Sequence, residues 1–324
     1  MLLENTKTDI AVRKIAEKDG QVLAESLGDL TERVTGEKVT EILKKQAKQI
    51  VVTLANADAD QMLAVLYEKN EREILAGAIA AAKISGADSY VIILPEKMNP
   101  ESAEKIKKAA DEMRIAENLK IIYGSCVKTA YKNDVILHPL TCVKITALLA
   151  GEDADFCLVS TDGKEPVKVP YGTKIGDLVQ SSKALRIGNH LYGLSVLDKK
   201  LGTEISEENG VLESVSDTQC VVNLVQRMIH TMREKSCGRC VFCREGLVQI
   251  DSALLDLMKG KGKATDLSLM EEIAEVMETE SNCSLGQTGA GSIKTLTTEF
   301  ESEAKEHLSG KCSSKECLGL VHYY

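Results

Sequence analysis

The chain has 324 residues, enough for two or three domains with a substantial core. Its 40 Lys and Arg against 49 Asp and Glu leave a formal charge of −9, so there is no global basic face and nucleic acid is not an expected partner. No apolar run reaches the length of a membrane span, and Met1-Leu2-Leu3-Glu4-Asn5 lacks the charged-then-apolar layout of a secretory signal, so a cytoplasmic protein without membrane insertion is expected.

With no Trp, three Phe, and apolar content carried by Val, Ile, Leu and Ala, the composition suits α/β structure. Residues 1 to about 50 are charged and periodic, with Leu27, Leu30, Val34, Val39, Ile42 and Leu43 spaced for amphipathic helices. Ile50–Leu54 reads as a first buried strand, Glu73–Ser85 as an Ala-rich helix and Ser89–Leu94 as a second strand. Asn99-Pro100-Glu101 combines a cap, a first-turn proline and an early acid, and so starts a helix running to about Met113. Leu119–Tyr123 is a third strand, and the alternation implies a parallel α/β layer. Asn56-Ala57-Asp58, after the first strand, is explained by itself as a helix cap.

From Phe156 the pattern changes. Phe156–Ser160, a turn at Thr161-Asp162-Gly163-Lys164 and Val167–Pro170 read as a β-hairpin, followed by a capped short helix within Tyr171–Val179. From Asp217 the chain reads as helical, with Lys259–Lys263 a solvated turn between helices.

Within that helical part lies Ser236-Cys237-Gly238-Arg239-Cys240-Val241-Phe242-Cys243-Arg244-Glu245-Gly246, with a further cysteine at Cys283. The C-x2-C-x2-C spacing lets one loop hold three corners of a cubane while a remote residue supplies the fourth, which is iron–sulfur ligation: Cys237, Cys240, Cys243 and Cys283 for one 4Fe–4S cluster. Zinc sites pair two short hooks and fit this spacing poorly, and free core thiols fit worse, since Gly238 and the flanking basic residues do not look like core. Arg233, Lys235, Arg239 and Arg244 would offset cluster charge, and Gly238 and Gly246 would let backbone N–H groups approach sulfur; solvated helix positions explain the arginines as well. With ten cysteines and a reducing compartment, thiols read as ligands before disulfides; Cys126, Cys142 and Cys157 read as small buried apolar residues. His307, Cys312 and Cys317, with four residues in each interval, form a second metal-type constellation at the tail.

Cys237–Gly246 and Ser281-Asn282-Cys283-Ser284-Leu285-Gly286-Gln287-Thr288 resemble the flavin-carrying, NADH-oxidising (NuoF-type) subunit of respiratory complex I. They resemble still more the beta subunit of electron-bifurcating, NADH-dependent hydrogenases. The resemblance is strong from about Val211 onward and thin before it, and it implies the same four cysteines as cluster ligands. It implies that Cys220 joins His307, Cys312 and Cys317 at a structural zinc, although Ser313-Ser314-Lys315-Glu316 departs from the family's Pro-Ala-Gly-Val. It also implies a ubiquitin-like β-grasp (SLBB-like) module around Val169–Leu178.

The front half departs from that family. Leu27–Gln46 has only Gly28 and Gly36 where a glycine-rich phosphate loop is expected, and His138-Pro139-Leu140-Thr141-Cys142 lacks the expected asparagines. The paired glutamates have no counterpart near Tyr123–Asn133, so the FMN and NADH pocket is expected to be degenerate, with Asn56 and Asp58 as candidate flavin-site remnants. The expected organisation is a helical segment over 1–50, a degenerate α/β domain over 51–154, the β-grasp module over 155–212 and a helical cluster domain over 213–324. The ferredoxin-like domain that follows in larger relatives is expected to be absent or carried by another subunit. The expected function is a one-cluster electron-relay subunit of a multi-subunit, NADH-linked oxidoreductase with other redox subunits as partners, and the resemblance is compatible with an anaerobic or electron-bifurcating complex. A divergent but working FMN-containing NADH dehydrogenase and a non-enzymatic scaffold are the alternatives.

Overall fold

The computed structural model describes residues 5–33, 35–125, 128–131, 133–289 and 291–317. The chain divides into two compact units, Met1–Ala55 with Leu63–Phe156, and Asn56–Met62 with Cys157–Tyr324. Val34 and Cys126 fall outside the described residues.

In the first unit α1 (Asn5–Glu17), α2 (Gly20–Glu25) and α3 (Val39–Leu43) precede the sheet. Periodicity is realised only in these pieces. Leu27 and Leu30 lie instead in an irregular loop, because Gly28 and Gly36 adopt left-handed conformations that a helix cannot continue through. The sheet comprises β1 (Gln49–Thr53), β2 (Ser89–Leu94), β3 (Leu119–Tyr123) and β4 (Val135–Leu137), ordered β3-β2-β1-β4 and parallel throughout. Three-residue β4 carried too little pattern to be foreseen.

Around these strands run α4 (Leu66–Lys69), α5 (Glu71–Ser85), α6 (Pro100–Glu112) and α7 (Pro139–Leu149). Asn99 caps α6 as expected, its side chain accepting from the Glu101 N–H. The alanines of α5 let it lie against α7 so closely that a Cβ on Gly77 would come 2.1 Å from the Cys142 carbonyl oxygen. Cys142 is wholly buried there and behaves as a small apolar residue, burial pushing its thiol pKa far up.

In the second unit β5 (Phe156–Thr161), β6 (Val167–Pro170), β7 (Ala184–Ile187), β8 (His190–Gly193) and β9 (Val211–Val215) form a mixed sheet ordered β6-β5-β9-β7-β8. Central β9 is parallel to β5 and antiparallel to β7, and it straddles the 212/213 boundary expected from sequence. Asp162 and Gly163 are both left-handed, and the Lys164 N–H donates to the Thr161 carbonyl, the turn that suits the twist of adjoining strands. The short helix α8 (Ile175–Leu178) lacks the expected side-chain cap, because its N-cap residue is Lys174, which has no acceptor to offer; the preceding Thr173 hydroxyl donates to the Pro170 carbonyl. Cys157, Val159, Ile175, Leu185 and Leu212 fill the core of this sheet.

Helices α9 (Val221–Lys235), α10 (Val241–Met258), α11 (Ala264–Glu280), α12 (Ser284–Thr288), α13 (Gly291–Thr298) and α14 (Glu301–Leu308) complete the unit. They close over Val225, Met228, Leu247, Ile250, Met270 and Leu296. The Lys259–Lys263 stretch links α10 to α11 as read from its glycines. No described helix is long and apolar enough to cross a membrane.

Asp251 of α10 is fully buried and is met from α9 by Arg233 at 2.8 Å, Gln226 at 2.9 Å and His230 at 3.2 Å. Burial opposes its charge, but Arg233, Gln226 and His230 outweigh that and hold the carboxyl below its usual pKa. Asp251→Ala should cost about 2–3 kcal/mol in denaturant unfolding at neutral pH, the low end for a broken buried pair because Arg233 is half exposed. The lowered pKa means that the difference is full above the ordinary aspartate range and fades as acid protonates the carboxyl.

Candidate metal centres

Two short stretches of the second unit bring the four expected cluster cysteines together. Ser236 ends α9, Gly238 turns the chain in the left-handed conformation (φ +69°), Cys240 precedes α10, and Cys243 lies in the first turn of that 18-residue helix. Cys283 directly precedes α12. Cys240 and Cys243 are buried, Cys237 and Cys283 half-buried.

The stretches meet at sulfur. Burial opposes ionisation of Cys240, but the nearby backbone of Cys243, Asn282 and Phe242, with the Ser281 hydroxyl, favours the thiolate and holds its pKa below the ordinary thiol value. That hydroxyl is buried and has no partner at ordinary hydrogen-bond distance, so a donor stays available beside the thiols. Cys243 goes the other way. It is raised to about 11, with burial and charge on Cys283, Cys240 and Cys237 pushing it up against the pull of Ser236 at 3.6 Å. A Cβ on Gly286 would lie 3.0 Å from the Cys243 Cβ and 2.3 Å from the Ser281 oxygen, so glycine is what lets the two stretches close. Four mutually sensing thiols with N–H donors at the positive end of α10 fit a buried, negatively charged 4Fe–4S cluster.

Two expectations about neighbours change. Gly246 brings no N–H to sulfur; a Cβ there would strike the Met277 sulfur at 2.4 Å, so it serves the packing of α10 on α11. Arg233 is engaged by Asp251, while Arg244 pairs with Glu245 and donates to the Gly238 carbonyl, bracing the cysteine loop rather than offsetting charge directly.

The tail forms a second centre. Ligand atoms of Cys220, His307, Cys312 and Cys317 all lie within 4.8 Å of one another, and all four residues are buried. His307 Nε2 is 3.3 Å from each of the Cys220 and Cys317 sulfurs, which are 3.6 Å apart. A tetrahedral ion with metal–sulfur bonds of about 2.3 Å requires sulfurs about 3.8 Å apart, so the donor set fits such an ion. His307 Nδ1 donates to the Glu303 carbonyl at 2.7 Å, which fixes the tautomer and leaves Nε2 to ligate. Burial would lower the His307 pKa, yet the Cys220 sulfur, the Glu303 carbonyl and charge on Cys312 hold it up at about 9. Glu316, part of the departure from the family motif, accepts from the Cys220 N–H at 2.8 Å, and Glu303 accepts from the Val221 N–H at 2.9 Å. These two carboxylates seat the tail on the start of α9, a role with no signal in sequence.

In the first unit the loop that lacks a glycine cluster supplies a carboxylate. Glu32, 2 % exposed, accepts from the N–H of Thr35 at 2.9 Å, the N–H of His138 at 3.0 Å and the Thr141 hydroxyl at 3.3 Å. It thereby sits at the N-terminus of α7. Asn56 and Asp58 cap no helix: residues 56 and 57 form a turn, and the next helical residues begin at Met62. Asp58 is buried, and the Asn56 amide nitrogen lies 3.9 Å from the Cys283 sulfur.

Residues 223–307 match the family described as the NADH-ubiquinone oxidoreductase-F iron-sulfur binding region. The chain is 33% identical over 119 residues to the F-type component of NADH-quinone oxidoreductase in Streptomyces coelicolor, covering 37% of this chain and 25% of that protein. It is 24% identical over 178 residues to the HndC component of NADP-reducing hydrogenase in Solidesulfovibrio fructosivorans, covering 48% and 36%. The alignments thus span about a quarter to a third of these relatives. A crystallographic chain of NAD+-reducing [NiFe]-hydrogenase superposes with a TM-score of 0.75 at 18% identity, over 90% of this chain and 63% of that one, which establishes a shared fold. The chain therefore resembles NuoF-type subunits and carries their 4Fe–4S binding region.

Cys240→Ala or Cys283→Ser should abolish or convert the cluster while circular dichroism still reports the α/β layer. Unchanged EPR and visible spectra in either variant would refute the ligand assignment.

Proposed function

We propose that this protein is an iron–sulfur electron-transfer subunit of a multi-subunit, NADH-linked oxidoreductase, with one 4Fe–4S cluster held by Cys237, Cys240, Cys243 and Cys283. The observation that supports the reading is the close approach of the two cysteine stretches, where Gly286 packs against Cys243 and Ser281 so tightly that a Cβ on it would lie 3.0 Å from the Cys243 Cβ. When bound, such a cluster takes up and releases single electrons, and the chain's part is to fix its place and potential. Cys240 and Cys243 would hold it in the more buried corner, and Cys237 and Cys283 in the more open one.

Redox partners from the same complex are the natural donors and acceptors. A groove of about 300 Å³ between α10 and α11, lined by Val241, Phe242, Leu269, Ile273 and Val276, supports docking beside the cluster. Val241 and Phe242, 56 % and 44 % exposed, stand between two of the ligands. Electron bifurcation and an anaerobic setting, implied by the sequence resemblance alone, belong to the same proposal.

Cys220, His307, Cys312 and Cys317 we assign to a structural zinc that fastens the tail to α9. Four protein ligands leave no open position, as in structural zinc sites. α9 is about 22 Å long, with Cys220 before its first residue and Cys237 two residues past its last, so the two centres have separate duties. The five-stranded sheet, with its β6-β5-β9-β7-β8 order, we read as a β-grasp module.

Loss of FMN and NADH binding from the front half is supported by Glu32. A phosphate approaching the N-terminus of α7 would meet a buried carboxylate already bonded to the His138 N–H and the Thr141 hydroxyl. The retained parallel sheet favours the second reading, a divergent but working flavin site. Metal, sulfide and flavin analysis of protein purified without oxygen separates them. About four iron, four sulfide and one zinc without flavin support the relay subunit, whereas the same iron with one FMN gives the NADH dehydrogenase reading the lead. In the same assay Cys312→Ser should lose the zinc and keep the iron, and unaltered zinc would sink that assignment.

A further inference from the structure

Residues 56–62 belong with the second unit, although the strand before them and the residues after them belong to the first. The segment is tied down by an unusual number of buried polar groups. Asn189, 1 % exposed, donates to the Ala57 carbonyl at 2.9 Å and to the Thr288 hydroxyl at 3.0 Å. Asn209, 2 % exposed, donates to Asp60 at 3.2 Å and to the Asn189 side-chain oxygen at 3.4 Å. Arg186 forms an ion pair with the same Asp60 carboxylate at 2.5 Å. Ala59 is buried in the core of the helices that carry the cysteines. Thr288 donates in turn to the Ser284 carbonyl, inside the helix that Cys283 precedes.

Burying this many polar groups costs free energy unless each is paired, so the network specifies one position for the strap. At the first residue of that strap is Asn56, whose amide nitrogen is 3.9 Å from the Cys283 sulfur. The opposite amide orientation would turn a carbonyl oxygen toward a thiolate, so electrostatics selects the N–H.

We propose that Asn56 is a positioning residue for electron transfer: its carboxamide donates an N–H···S bond to Cys283 and raises the potential of the cluster, with the Asp60–Arg186–Asn189–Asn209 network holding it in place. The inference rests on the four-cysteine cluster assigned above. Reduction adds one electron to a cluster already carrying net negative charge, so a donor at a ligand sulfur stabilises the reduced form more than the oxidised one. This gives the strap a role at the sulfur in place of a flavin contact.

The test is an EPR-monitored redox titration of the full chain purified without oxygen, with iron and sulfide measured on each sample. Asn56→Ala should keep the iron and sulfide of the parent and titrate at a lower potential. Asn56→Asp, nearly the same shape with a negative charge in place of the donor, should shift lower still, and Asn189→Ala should shift in the same direction by releasing the strap. An unchanged midpoint in an iron-replete Asn56→Ala or Asn56→Asp overturns the proposal. Loss of iron from both Asn56 variants also overturns it, by showing a structural role. Absence of iron and sulfide from the parent protein would instead remove the cluster reading on which it rests.

Discussion

The electrostatic cost of burying sulfur governs the second unit. A thiolate away from water is tolerated only if N–H dipoles, a metal or cationic groups replace the lost hydration. Here the replacement is largely backbone. Backbone of its own helix turn and of Asn282 in the remote stretch lies near Cys240 and favours its thiolate, so closing the two segments also improves the surroundings of the sulfur. The glycine at 286 follows from the same demand, since any side chain there would hold the stretches apart. Arginines near the motif turn out to secure the scaffold, one on Asp251 and one on the Gly238 carbonyl.

α9 is the beam on which both centres are mounted. Its first N–H groups are held by carboxylates of the tail, Glu316 and Glu303, and its last turn is held to α10 through Arg233 and Asp251. The tail cysteines and the C-x2-C-x2-C loop thus lie at opposite ends of one helix. At the α10 end the buried Asp251 carboxylate is the anchor, ringed by three donors.

The strands and long helices were legible because their signals are local. Val-Ile-Leu runs bounded by breakers gave β1, β2 and β3, and Asn99-Pro100 gave the start of α6. Cysteine spacing pointed to the metal sets because ligand chemistry restricts residue type as well as interval. What stayed hidden depends on residues far apart in sequence. Asn189 and Asn209 look like ordinary turn residues until the fold brings Ala57 and Asp60 to them. Gly246 could face sulfur or methionine, and tertiary packing against Met277 chose.

In the first unit the interactions that hold the scaffold are distinct from the loop where a nucleotide site is expected. Stability of the parallel layer comes from the apolar strands and from the close approach of α5 to α7 at Gly77, none of which needs a nucleotide. The loop ahead of the sheet is under no such constraint, and there Glu32 supplies from within the chain the negative charge that the α7 N-terminus favours. A helix start satisfied by its own protein's carboxylate gains nothing from a phosphate, because the phosphate would first have to displace a buried ion already paid for in desolvation. The fold does not depend on the cofactor chemistry, and the likeness in architecture to an NAD+-reducing enzyme speaks for the fold alone.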